Sequence, residues 1–170
     1  MNQLWMAFGD MVPLFLIIVV VYSVITIFII RKRNLDVRKV MITSFLVFSI
    51  IAILLITVFP RYIGFPGPRV LNIMPLIGMY DIMFHSVDIF VPIRNIGFNI
   101  LLFVPFGFFL SSRKSLFHHV TMKVIVVQGI LFSVSIEAVQ YIIFPSGRSA
   151  DIDDVILNVV GTYLGYLVFK

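Results

Sequence analysis

Cysteine is absent from this chain of 170 residues, and charged residues make up only 12% of it. The lack of cysteine excludes disulfide bonds and thiolate metal sites. The scarcity of charge argues against an ordinary soluble domain, because 61% of the residues are hydrophobic and the mean hydropathy is +1.11. A soluble fold of this length has too little interior to bury so much apolar surface. A lipid bilayer is therefore the expected solvent.

Five apolar runs are each long enough to cross, or nearly cross, the hydrocarbon core of a bilayer. They lie at about 11–30, 40–59, 95–110, 124–144 and 153–169. Pro105 and Gly107 interrupt the third run and permit a kink there. No linker, low-complexity segment or clear internal repeat divides the chain. The sequence therefore predicts an all-α membrane protein, a bundle of about five transmembrane helices that forms one domain over residues 1–170.

The connection between the second and third runs is predicted to contain a short helix that lies on the membrane surface. Its FPGPR motif excludes a helix at the start. Residues 76–91 are too polar to span the membrane. Asp81, His85 and Asp88 recur there at i, i+4 and i+7, which places them on one helical face. An amphipathic interfacial helix explains this spacing, and a divalent metal site built from the three side chains is the alternative.

Basic residues are distributed unevenly between the two ends of the predicted bundle. Residues 31–39 and 111–123, together with Lys170, contain nine of the thirteen lysines and arginines. Basic loops of membrane proteins stay in the cytoplasm. We therefore predict a multi-pass protein with its N-terminus outside the cell and its C-terminus in the cytoplasm. These loops account for the net charge of +5, so nucleic-acid binding is not predicted.

Hydrophilic side chains are concentrated where the last two apolar runs meet. Glu137 lies seven residues before the end of the fourth run, about 10 Å below the outer boundary at 1.5 Å per residue. A charged group at the bilayer centre costs on the order of 2.5–3.5 kcal/mol, so such residues face the bundle interior or a water-filled cavity. Glu137 is either paired with a donor such as Arg148 or kept protonated by desolvation. We predict an outward-opening polar pocket that is lined by Asn99, Glu137, Gln140, Arg148, Asp151, Asp154 and Asn158.

A glycine pattern in the last run predicts that this run packs closely against another helix. Gly161 and Gly165 form a GxxxG pattern, which lets another helix approach closely. That helix belongs either to this chain or to a second copy, so an oligomer is possible. The polar residues also have a purely structural explanation, because amides and carboxyls join membrane helices at about 0.6 kcal/mol per contact. Their number within a short stretch favours a site.

The order of these polar residues resembles that of the VanZ-like family of bacterial membrane proteins. The resemblance covers about residues 72–166 and is carried by Asn72, Pro75, Asn99, Val104, Pro105, Phe106, Gly107, Glu137, Gln140, Arg148, Asp151, Asp154, Asn158, Gly161 and Gly165. It implies a multi-pass protein of the bacterial plasma membrane. From the family's namesake it also implies low-level resistance to teicoplanin, a lipidated glycopeptide antibiotic, without a change in the peptidoglycan stem terminus.

Two functions are consistent with these residues, and the sequence leaves open whether the protein is an enzyme. In the first, the pocket binds a lipid-linked cell-wall precursor or the lipoglycopeptide itself, with Arg148 and Arg94 contacting phosphate or carboxylate groups. In the second, the protein is a membrane-embedded hydrolase or transferase of an envelope lipid. Glu137 would then be the general base, Arg148 the anion stabiliser, and Asp151 or Asp154 an acid or metal ligand. Without a visible repeat, a transporter is the weaker alternative. No cofactor is predicted.

Overall fold

The computed structural model of the chain describes residues 11–58, 71–85, 88, 90–143 and 150–170, with only the backbone described for Arg94 and Ile143. In these residues the long helices are α1 (Met11–Arg33), α2 (Val37–Thr57), α4 (Phe90–Ser115), α5 (Met122–Ile143) and α6 (Ile152–Phe169). A short helix, α3 (Ile77–His85), and two strands, β1 (Leu71–Asn72) and β2 (Ala150–Asp151), complete the described elements.

The five long helices are all long and apolar enough to cross a membrane, which confirms the predicted all-α membrane bundle. The turn between α1 and α2 shows why the first two helices are separate. Asn34 adopts a φ of 46°, a left-handed conformation that asparagine tolerates at a helix end. The Asp36 carboxylate then accepts the backbone N–H groups of Arg38 and Lys39 at 3.0 and 3.3 Å, which starts α2.

The boundaries of α3 and α4 differ from the sequence prediction. The predicted interfacial helix over residues 76–91 ends at His85, and α4 begins at Phe90 rather than at residue 95. The Asp88 side chain accepts the Phe90 N–H at 2.9 Å, and Pro92 lies in the first turn, where no N–H is needed. These two residues start a new helix. α4 then continues through Pro105 to Ser115.

α4 and α6 run in the same direction, with their backbones in close contact along the bundle. A Cβ atom at Gly161 would overlap the carbonyl oxygen of Ile100, and one at Gly165 would overlap that of Val104. On α4, a Cβ atom at Gly107 would likewise overlap the carbonyl oxygen of Thr162 on α6. The close approach predicted from the GxxxG pattern is therefore present, and the neighbouring helix belongs to the same chain.

An apolar core joins α2, α4 and α5. It centres on Ile53, Phe103, Phe106 and Ile136, and the rings of Phe106 and Phe132 lie 5.0 Å apart. No residue of α1 is buried, as expected for a peripheral helix that faces lipid.

The bundle has two chemically different ends. We call the end where α2 and α5 finish and α4 and α6 begin the polar end, and the opposite end the basic end.

Candidate functional site

A pair of two-residue strands joins distant parts of the chain at the polar end. β1 and β2 are parallel, with Leu71 opposite Ala150 and Asn72 opposite Asp151. The Asn72 amide donates to both carboxylate oxygens of Asp151, each at 3.2 Å. Sequence reasoning missed the strands, because two residues are too few to show the alternation of a strand. Asn72 itself could have been found, since it belongs to the family-like residues.

Asp151 and Glu137 together fix the start of α6. The Asp151 carboxylate accepts the Asp153 N–H at 2.9 Å and so caps the helix. The backbone N–H of Asp151 in turn donates to Glu137 Oε2 at 3.0 Å. Glu137 is only 8% exposed, in agreement with an inward-facing position. The predicted pocket residues Glu137 and Asp151 are thus in direct contact.

Asp153, which the sequence analysis did not assign to the pocket, joins α6 to α3. Its side chain is 3% exposed. Oδ1 accepts the backbone N–H of Leu76 at 2.6 Å, and Oδ2 accepts that of Met79 at 2.9 Å. The carboxylate thereby satisfies donors at the start of α3 that have no partner within the helix. An acid in the first turn of a helix is too common a feature to identify this role from sequence.

Asp154 points toward α4 rather than toward α3. The Asn99 amide donates to Asp154 Oδ1 at 2.6 Å, and both side chains are partly exposed. No described residue donates to Asp154 Oδ2. Successive residues on a helix point in different directions, so Asp153 and Asp154 contact different neighbours. The Asn99–Asp154 pair is therefore the part of the cluster with an oxygen available to accept a hydrogen bond from a ligand.

Asn158 and Gln140 connect helices away from this pair. Asn158, 3% exposed, donates from its amide to Ser133 Oγ at 2.9 Å and joins α6 to α5 one turn below Asp154. Its Oδ1 is buried and accepts no hydrogen bond from the described residues. Gln140 donates to the carbonyl oxygen of Thr57 at 2.7 Å. Its amide therefore connects α5 to α2 and points away from the Asn99–Asp154 pair.

The predicted pocket residues are thus brought together only in part. Asn99, Glu137, Asp151 and Asp154 meet at the polar end, whereas Arg148 lies outside the described residues, and the Arg94 side chain is also outside them.

The predicted polar stripe does not form on one helix, because Asp88 lies beyond the end of α3 and accepts the Phe90 N–H instead. Asp81 and His85, which lie on α3, do not converge on this cluster. His85 Nδ1 lies 3.0 Å from Asp81 Oδ1, and the two side chains are 66% and 74% exposed. Within the described part of the chain, no group of three His, Cys, Asp or Glu residues could hold a metal ion. The Asp81–His85 contact fits the predicted interfacial helix, whose polar face meets water.

An apolar cavity of about 320 Å³ lies between α2 and α4 near the polar end. It is lined by Ile56, Phe98, Leu101 and Leu102. Phe98 directly precedes Asn99 in α4, and Leu102 follows Asn99 by one helical turn. The cavity therefore begins at the level of the Asn99–Asp154 pair and continues along α4 for about one helical turn. The Asn99–Asp154 pair and the cavity thus lie at a similar depth, although neither Asn99 nor Asp154 lines the cavity.

No curated protein and no solved structure matches the chain. The family model described as VanZ/LLP1 matches residues 14–170. This match reaches beyond the polar residues that suggested the family and includes α2 and nearly all of α1. The chain therefore belongs to the VanZ/LLP1 family.

Proposed function

We propose that this protein binds an amphiphile of the bacterial cell envelope at its polar end and so contributes to resistance to teicoplanin-type antibiotics. The ligand is either a lipid-linked cell-wall intermediate or the lipidated glycopeptide itself. The proposal rests chiefly on the partly exposed Asn99–Asp154 pair, and an apolar cavity lies at a similar depth between α2 and α4. Such a combination suits a molecule with a hydrogen-bonding head and a hydrocarbon tail.

The other three carboxylates of the cluster already accept hydrogen bonds from the protein itself. Glu137 accepts a backbone N–H, and Asp151 is bonded to Asn72 and caps α6. Asp153 accepts two backbone N–H groups of α3. These three groups hold the polar end together. The Asp154 carboxylate is the one best placed to accept hydrogen bonds from sugar hydroxyl or amide groups of a ligand.

The proposed location is the bacterial plasma membrane, with the polar end facing outward. The basic loops 31–39 and 111–123 lie at the same end, since Lys39 Nζ is 5.9 Å from the Phe117 ring centroid. Arg113 stacks on the same ring at 4.4 Å. A basic end of this kind favours the cytoplasm, so the Asn99–Asp154 pair would face the outer leaflet.

Deletion of the gene should sensitise the host to a lipidated glycopeptide by a few-fold and leave sensitivity to a non-lipidated glycopeptide almost unchanged. Complementation with Asn99→Leu or Asp154→Ala should fail to restore resistance, because each change removes a group that would hold the ligand's head. The exposed Asp81→Ala variant, made at the same expression level, is the control and should restore it. Minimum inhibitory concentrations measure all of these effects. Equal shifts for both drugs would exclude recognition of a lipid tail.

The hydrolase or transferase alternative makes a different prediction at Glu137. If the role of Glu137 is to accept hydrogen bonds such as that of the Asp151 N–H, the carbonyl of Glu137→Gln can replace it, and resistance should persist with at most about 1–2 kcal/mol lost from folding. Glu137→Leu should lose about 1–3 kcal/mol, because it leaves the partly buried Asp151 N–H without this acceptor. Thermal unfolding of the purified variants gives the stabilities. A well-folded Glu137→Gln variant that confers no resistance would favour chemistry, and product analysis with polyprenyl-phosphate substrates would then identify the reaction.

A further inference from the structure

A second cavity lies at the basic end, across the bundle from the Asn99–Asp154 pair. Its volume is about 610 Å³, and it is bounded by the loop between α4 and α5 and by the last turn of α6. His118, His119 and Lys170 are exposed at its edge, and Tyr166 and Phe169 form its aromatic floor. The two aromatic rings are 6.4 Å apart. The cavity thus combines cationic and hydrogen-bonding groups with an apolar base.

The surroundings of this cavity favour an anion. No acidic residue occurs between Asp88 and Glu137 or after Asp154, so both segments that form the cavity lack negative side chains. The acidic side chain of the nearby 31–39 loop, Asp36, caps α2 and lies 3.8 Å from Lys39 Nζ. Its charge is thereby offset locally. An anion in the cavity would meet the Lys170 cation and the hydrogen-bonding histidines, and no carboxylate side chain from these segments.

The start of α5 adds oriented donors to the same cavity. Thr121, which lines the cavity, accepts the Val124 N–H at 3.1 Å through its carbonyl oxygen at the first turn. The first N–H groups of a helix have no acceptor within the helix and carry the positive end of its dipole. No acidic side chain lies in the first turn of α5 to neutralise them. Phosphate groups bind readily at such a helix end.

We propose that this cavity is a binding site for a phosphate group, and that an anionic phospholipid of the adjacent leaflet supplies it. The histidines and Lys170 would contact the phosphate oxygens, while Tyr166 and Phe169 would pack against the start of the glycerol and acyl chains. The cavity lies where the spanning helices end, which is the depth of lipid headgroups. Aromatic side chains are favoured at that depth. This site does not depend on what the polar end binds.

The test is native mass spectrometry of the full chain after equilibration in micelles with equal amounts of phosphatidylglycerol and phosphatidylcholine. We expect phosphatidylglycerol to be retained several-fold more than phosphatidylcholine. Lys170→Gln and His119→Gln should each reduce this preference, and the double variant should abolish it. Lys32→Gln removes one positive charge from the same end outside the cavity and is the matched control, which should retain the preference.

Two outcomes would overturn the proposal. Both lipids carry a phosphate, but only phosphatidylglycerol has a net negative charge, so equal retention by the unaltered protein would show that the cavity selects no anionic phospholipid. An equal loss in Lys32→Gln would show that net charge rather than the cavity attracts the lipid. Inorganic phosphate, added at increasing concentration, identifies the source of the phosphate. Displacement of phosphatidylglycerol by it would support a phosphate site that is also open to soluble phosphate, whereas retention of the lipid would support the phospholipid as the ligand.

Discussion

Replacement of Asp153 by alanine should lower the stability of the folded protein by about 3–6 kcal/mol, because each hydrogen bond to a charged group contributes about 1.5–3 kcal/mol. The carboxylate accepts two backbone N–H groups, those of Leu76 and Met79, and is almost fully buried. Alanine would leave both donors without their acceptor and free α3 from the start of α6. The change should be visible as a lower unfolding temperature and as faster hydrogen exchange at Leu76 and Met79.

The matched control for this prediction is Asp81→Ala in α3. Asp81 carries the same charge but is 74% exposed and contacts only the exposed His85 among the described residues. Its replacement should change stability by no more than about 0.5 kcal/mol. If Asp153→Ala were as mild as Asp81→Ala, the bonds from Asp153 to α3 would contribute nothing to the fold.

Alanine at Gly161 or Gly165 should lower stability by about 3 kcal/mol, at the upper end of the usual cost of overpacking. The added Cβ would overlap a backbone carbonyl of α4, and a backbone carbonyl cannot turn aside as a flexible side chain can. The helices α4 and α6 would have to move apart, although their contact holds Asn99 next to Asp154. The proposed resistance should fall together with stability in both variants.

Gly97→Ala provides an internal comparison, because this change is expected to raise stability rather than lower it. Gly97 lies inside α4, and a Cβ atom there would meet nothing within 4 Å. Alanine should therefore stabilise the protein by up to about 1 kcal/mol through its higher helix propensity. Unfolding of the three variants in one detergent measures the difference directly. Similar effects of Gly97→Ala and Gly161→Ala would contradict the close packing of α4 against α6.

The spanning helices were predictable from sequence because hydropathy is summed over about 20 residues, and no single residue decides the result. The approach of α6 to another helix was also predictable from Gly161 and Gly165. Sequence could not show that the partner is α4, because the pattern describes only one of the two surfaces. The family-like residues helped to locate the cluster, since Asn72 and Asp151 lie 79 positions apart and no local pattern relates them.

What sequence could not provide is the direction of each polar side chain. Glu137 and Gln140 are one turn apart on α5, yet the first bonds to the start of α6 and the second to α2. Asp153 and Asp154 are adjacent, yet one bonds to α3 and the other to Asn99 on α4. These choices depend on which helices are neighbours in space. The start of α4 was missed for a related reason, because it depends on the hydrogen bond between Asp88 and Phe90.

The most direct test of the proposed site uses the absence of cysteine from the chain, which makes any introduced thiol unique. Thiols react as thiolates, so a charged, membrane-impermeant thiol reagent labels only positions that water reaches. In intact cells, Asn99→Cys should be labelled, whereas Leu131→Cys, which is 62% exposed on the apolar surface of α5, should not react. Labelling of Asn99→Cys only after the cells are opened, or no labelling at all, would contradict an outward-facing polar site.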